Sequence, residues 1–230
     1  MKLAKLFIGF VFLTLLFNQA SAGVIKKEID NFEYYLYVPK KYSPARPCPL
    51  IVALHSENEK ASELAEKWRG ASDYYGYIIA CPKSTDQDKW ETSEELGILQ
   101  MLSDIDRDYS IDKSNIFVTG NSSGAMFTYY LGITYAGSFK AMAPFAGSLN
   151  PLLNSTVSLS ENTKHIPVLI LHGKYDQVTS INESYVARDK LRDNEYNVTL
   201  RELDGVGHEF PEKLSWQIIE WFEKVKRASR

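Results

Sequence analysis

From Leu50 onward the chain alternates short, uninterrupted apolar runs with longer amphipathic stretches, and this rhythm limits its possible folds more than any other feature. The runs are LIVAL (50–54), YIIAC (77–81), IFVT (116–119), FKAMAPFAG (139–147), VLIL (168–171) and VTLREL (198–203). A strand with no polar alternation is buried on both faces, and consecutive strands of that kind are joined by crossover helices. The stretches near 60–75, 93–108, 123–135 and 182–194 supply those helices, and 212–227 closes the chain with Trp216, Ile219 and Phe222 on one face. The expectation is an α/β fold: a mainly parallel sheet, helices on both faces, and a ligand site outside the carboxyl ends of the strands. Upstream, FEYYLYV (32–38) is rich in strand formers and stops at Pro39, which reads as an edge or antiparallel strand.

The first residues follow different rules. MKLAKLFIGFVFLTLLFNQASA places Lys2 and Lys5 before an apolar run from Leu6 to Phe17 and ends in Ala20-Ser21-Ala22, the layout of an export signal cut after Ala22. A helix of that run spans only about 18 Å, short of the ~30 Å needed to cross a bilayer. Loss of this leader, with its two lysines, leaves 208 residues, 23–230, carrying 24 Lys and Arg against 29 Asp and Glu. That length suits a single domain, and no second apolar run predicts lasting membrane insertion. No basic stripe or block suggests a nucleic-acid partner. An exported chain invites a disulfide between Cys48 and Cys81, the chain's two cysteines. If they mark the start of one strand and the end of its parallel neighbour, they lie too far apart, and two free buried thiols are expected.

Chemistry is concentrated in VTGNSSGAM (118–126), between the strand run IFVT and an apolar helical stretch. Gly120-Asn121-Ser122-Ser123-Gly124 fits Gly-x-Ser-x-Gly on Ser122 and not on Ser123, because a frame on Ser123 would need glycine at Asn121 and Ala125. The motif requires a sharp strand-to-helix turn that exposes the serine Oγ, with no side chains at the flanking positions. A serine hydroxyl is a weak nucleophile until a base takes its proton, so Ser122 needs a histidine oriented by a carboxylate. His208, in GVGHEFP after the last strand, would reach the carboxyl edge of the sheet. His165 precedes a strand in a polar loop and reads as exposed, while His55 and His172 end strands and read as structural. Asp176, in the loop of VLILHGKYDQV, is either a turn aspartate or the orienting acid. The chain order Ser122, Asp176, His208 matches one fold in particular.

Taken together, YYLYVPKKY, PLIVALHS, YYGYIIACP, IFVTGNSSGAM, FKAMAPFAGS, VLILHGKYDQV and GVGHEFP resemble the α/β-hydrolases. Within them the chain is similar to secreted serine esterases related to polyhydroxybutyrate depolymerases and feruloyl or acetylxylan esterases. The resemblance implies Ser122 as nucleophile, His208 as general base and acid, Asp176 as its orienter, an acyl-enzyme intermediate, a small-molecule or polymer ester as substrate, and no metal or organic cofactor.

One segment departs from the pattern. The family usually has His-Gly after its third strand, where a backbone N–H completes the oxyanion hole; here the sequence is Leu54-His55-Ser56-Glu57. Ser56 or Glu57 remains the expected donor beside Ser123. Trp90 occupies a loop that carries aromatic substrate contacts in relatives, so it and His55 are candidate contacts, although a lone tryptophan in a polar loop more often packs onto the surface. The segment after FAGS holds Pro151-Leu152-Leu153 and is short, so any lid is small. Two alternatives stay open: a serine peptidase of the prolyl-oligopeptidase type, and an inactive α/β-hydrolase scaffold used for binding.

Overall fold

The computed structural model describes residues 23–160 and 164–228. The expected export signal therefore lies outside the described residues.

Eight strands form one sheet: β1 (Ile25–Ile29), β2 (Phe32–Tyr37), β3 (Cys48–Leu54), β4 (Ile78–Pro82), β5 (Ile111–Asn121), β6 (Ala141–Phe145), β7 (Val168–Gly173) and β8 (Val198–Leu203). Their order is β1-β2-β4-β3-β5-β6-β7-β8. β1 and β2 pair antiparallel, β2 pairs antiparallel with β4, and the rest of the sheet is parallel. FEYYLYV is thus antiparallel but not an edge, because β1 covers it. β1 escapes the hydrophobic pattern because IKKEI holds three charged residues. It forms as an edge strand, where charge is tolerated and blunts pairing with other chains, and Lys26 and Lys27 pair with Glu33 (2.7 Å) and Asp108 (2.5 Å).

The helices are α1 (Ala61–Tyr75), α2 (Glu95–Asp108), α3 (Ser123–Thr134), the short α4 (Asn150–Leu153), α5 (Ile181–Asp193) and α6 (Glu212–Ala228). Alternate strand residues feed two cores. Leu50, Val52 and Leu54 pack with Met101 of α2, Phe127 and Leu131 of α3 and Leu191 of α5. Ile51 and Ala53 pack with Leu64 and Trp68 of α1 and Ile218, Ile219 and Phe222 of α6. This is why the runs of β3, β4, β6 and β7 show no polar face, whereas β8, at the sheet edge, exposes Thr199 and Glu202. Phe222 stacks on Phe117 at 4.3 Å, and truncating such a buried ring costs about 3–5 kcal/mol. Trp216 does not join that core: it lies 37% exposed against Tyr74 and Tyr75, because the buried stripe of α6 runs through Leu214, Ile218, Trp221 and Phe222 instead.

Both cysteines are free and buried. The register that sets Val52 beside Ala80 puts Cys48 and Cys81 at opposite ends of paired strands, and their side chains fall in different cores. Burial pushes the Cys48 thiol up to about 11, so it stays protonated.

Candidate active site

The segments that follow β3, β4, β5, β6, β7 and β8 meet at the carboxyl edge of the parallel strands. Between the end of β5 and the start of α3, Ser122 has φ 53° and ψ −118°, a conformation that costs strain for a residue with a side chain. The surroundings hold it there. Ser122 N–H donates to the Phe145 carbonyl (3.0 Å), and its own carbonyl accepts from Ala125 and Met126 N–H (3.0 and 3.1 Å). A Cβ at Gly120 would lie 2.5 Å from the Gly124 carbonyl oxygen, and one at Gly124 would lie 2.6 Å from the His55 carbonyl oxygen. Both glycines are therefore required by close approach of backbone, one to the helix and one to the loop after β3.

The structure brings Ser122, His208 and Asp176 into one hydrogen-bonded chain. His208 Nε2 is 2.8 Å from Ser122 Oγ, and His208 Nδ1 is 2.8 Å from Asp176 Oδ2. With Nδ1–H donated to the carboxylate, Nε2 is the acceptor for the serine hydroxyl. Asp176 Oδ1 accepts from Val178 and Thr179 N–H, each at 2.9 Å. Burial favours the neutral acid, but hydrogen bonds from His208, Thr179 and Val178 outweigh it and hold the Asp176 carboxyl below the usual carboxylate range. His172, fully buried, places Nε2 2.9 Å from the Thr179 carbonyl and 3.3 Å from Asp176 Oδ2, with Nδ1 2.7 Å from Ser184 Oγ. It ties the acid loop to α5, which only its place at a strand end hinted at. His165 stands apart before β7. It is half-buried rather than exposed because its ring stacks on Tyr196 at 4.2 Å.

The loop after β3 is held by side chains from elsewhere. His55 is 2% exposed; Nδ1 is 2.7 Å from the Ser56 carbonyl, and Nε2 accepts Ser84 N–H at 3.1 Å. Burial lowers the His55 pKa, so the ring is neutral and serves as a clamp between the loops after β3 and β4 rather than an open substrate contact. The Ser56 N–H donates to Glu59 Oε2 (3.2 Å), and Glu59 in turn pairs with Lys67 (2.7 Å). That occupancy removes Ser56 as a ready oxyanion donor. Glu57 N–H has no partner among the described residues, and the exposed Glu57 side chain sits in solvent. Ser123, first residue of α3, carries an N–H with no acceptor inside the helix.

Trp90 is not packed onto open surface. Its Nε1–H donates to the His55 carbonyl (2.9 Å), and its ring stacks on Phe127 at 5.5 Å and 13°; Phe127 stacks in turn on Tyr130 at 5.4 Å. These rings, with Met126 and Leu152, line an apolar cavity of about 290 Å³ that Ser123 also borders. A second cleft, of about 440 Å³, is lined by His208, Asn121, Glu57, Glu59, Lys67 and Glu209 among others. Thus Asn121 and Ser123, the neighbours of Ser122, face different spaces. No group of three or more His, Cys, Asp or Glu able to hold a metal occurs among the described residues.

A mainly parallel eight-stranded sheet with a strained serine at a strand-to-helix turn defines an α/β-hydrolase fold. The chain belongs to the phospholipase/carboxylesterase family, whose family model matches residues 75–226. Among solved structures it is similar to an acetyl xylan esterase from Aspergillus awamori, at 19% identity and a TM-score of 0.74 over 87% of this chain and 99% of that one. An S-formylglutathione hydrolase from Agrobacterium tumefaciens superposes with a TM-score of 0.71 at 17% identity, over 87% of this chain and 94% of that one. By sequence it is 30% identical to a feruloyl esterase B of Talaromyces funiculosus over 52% of this chain and 39% of that protein. It is 23% identical to a bifunctional acetylxylan esterase/xylanase of Neocallimastix patriciarum over 66% of this chain and 22% of that protein. The chain spans well under half the length of these curated relatives.

Proposed function

We propose that this chain is an exported serine esterase that hydrolyses carboxylic esters through an acyl-enzyme on Ser122. The observation that carries the reading is the chain of two 2.8 Å hydrogen bonds from Ser122 through His208 to Asp176, with Ser122 in a strained turn. The feruloyl and acetylxylan esterases among its relatives support the same reading, and the leader sequence supports export. No helix among the described residues is long and apolar enough to cross a membrane.

In this mechanism His208 Nε2 takes the Ser122 proton as Oγ attacks the ester carbonyl carbon. The carbonyl oxygen becomes an oxyanion held by the N–H groups of Ser123 and Glu57. The carbon–oxygen bond to the alcohol then breaks, and His208 passes the proton to the departing alkoxide. Water, deprotonated by His208, cleaves the acyl-enzyme and releases the acid. Asp176 keeps Nδ1 protonated and stabilises the imidazolium between these steps. The acyl group occupies the cavity under Trp90 and Phe127, whose flat stacked rings suit an aromatic or short aliphatic acid.

The test is labelling by a fluorophosphonate probe together with turnover of a short-chain aryl ester. Labelling and turnover are expected in the wild-type protein and lost in Ser122→Ala and His208→Ala. A wild-type protein that neither labels nor turns over ester overturns the reading in favour of a binding scaffold. Turnover of the matching amide at a rate approaching that of the ester favours the peptidase.

A further inference from the structure

We propose that the cleft beside His208 is a leaving-group subsite that accepts neutral or cationic alcohols and rejects anionic ones, with Glu57 and Glu209 as the discriminating charges. This rests on the esterase reading, because His208 has to protonate the departing alcohol oxygen and the alcohol therefore lies on the side that His208 borders. His208 lines the 440 Å³ cleft, while the stacked rings and Ser123 line the apolar cavity that takes the acyl group.

The charges around the cleft do not cancel. Glu59 and Lys67 form an ion pair at 2.7 Å. Glu57 and Glu209 are exposed and enter no ion pair among the described residues, so two negative charges remain at the rim. Asn121, adjacent to Ser122 and 3% exposed, borders the cleft at its inner end. The two rim carboxylates accept hydrogen bonds and carry negative charge, so the cleft complements an alcohol that brings hydrogen-bond donors or positive charge. A sulfonate, phosphate or carboxylate group brings neither. In the departure of this chain from His-Gly after β3, Ser56 takes the glycine position and Glu57 follows it at the rim.

The experiment compares three acetate esters whose alcohols differ in charge: acetylcholine, its neutral isostere 3,3-dimethylbutyl acetate, and 2-sulfoethyl acetate. Turnover is followed by base uptake at constant pH. For two carboxylates acting across several ångströms of water-filled cleft, kcat/KM for the cationic ester should exceed that for the anionic ester by about tenfold at low ionic strength. The ratio should shrink as salt is raised above ~0.5 M. Glu57→Gln and Glu209→Gln should each lower the ratio, and the double variant should bring it close to the high-salt value. A ratio unchanged in the variants and insensitive to salt overturns the charge filter while the esterase reading stands. Absence of turnover with all three esters and with the aryl ester overturns both.

Discussion

The two sides of the candidate site reach their geometry by different routes. On the side of Ser122, the turn from β5 to α3 is set by residues adjacent in sequence: Gly120 and Gly124 clear space for neighbouring backbone, and Ser122 takes up the strain between them. On the side of the loop after β3, residues 55–59 are held by partners far along the chain. Ser84 and Trp90 hold His55, and Lys67 holds Glu59, which occupies the Ser56 N–H. A turn built from local sterics has one solution and is recognisable as a motif. A loop built from distant hydrogen bonds tolerates a changed sequence, provided that the partners change with it. That is how His55-Ser56-Glu57 stands where the usual pattern has His-Gly.

The comparison is tested most severely at the histidine that both sides share. Asp176→Asn, which leaves the shape intact but no longer enforces the His208 tautomer, should lower kcat by about 10⁴-fold; steady-state turnover of an aryl acetate measures it, and a loss below tenfold would show that Asp176 does not orient His208. Next comes the point where the two sides touch. Gly124→Ala drives a methyl group into the Leu54 and His55 carbonyls and should displace the oxyanion donors, at a cost of about 10²–10³ in kcat with the fold retained by circular dichroism. An unaffected kcat would mean that the loop yields freely. Trp90→Ala opens the apolar cavity and frees the His55 carbonyl. It should reduce kcat/KM for a cinnamate ester about 10- to 100-fold more than for the corresponding acetate, and equal losses would place the acyl group elsewhere.

The smallest effect is on stability and its pH dependence. Burial depresses the His55 pKa, so as pH falls below ~6.5 the unfolded chain binds a proton that the folded chain resists. Stability contributed through the neutral clamp is therefore complete above that pH and declines on acidification, by at most ~1.4 kcal/mol per pH unit. Urea midpoints at pH 7.5 and 5.5 should differ less in His55→Gln than in the wild-type protein. Equal differences would show that His55 carries none of the slope.

Much of this was legible before any coordinates. Runs such as LIVAL and VLIL carried their burial on two faces in their composition, and Gly120 and Gly124 announced the turn because no other residue fits so close to backbone. The chain order of Ser122, Asp176 and His208 pointed to their loops. β1 was hidden because its stability comes from backbone pairing and flanking ion pairs rather than from an apolar face. Trp216 was misplaced because helical spacing alone does not say which edge of an apolar stripe meets solvent. His172 against Asp176 and Glu59 against Ser56 were also out of reach, since no local preference encodes a side chain arriving from another loop.

By itself, then, the sequence determined the layering of the sheet, the site's edge and the serine turn, because each depends on neighbours a few residues apart whose sterics and hydrophobicity are readable in order. Only the tertiary structure decided which backbone N–H groups of the loop after β3 stay free, that Trp90 lines the apolar cavity, and which carboxylates remain unpaired beside His208. Those depend on hydrogen bonds and charges that meet only after strands distant in sequence have been laid side by side.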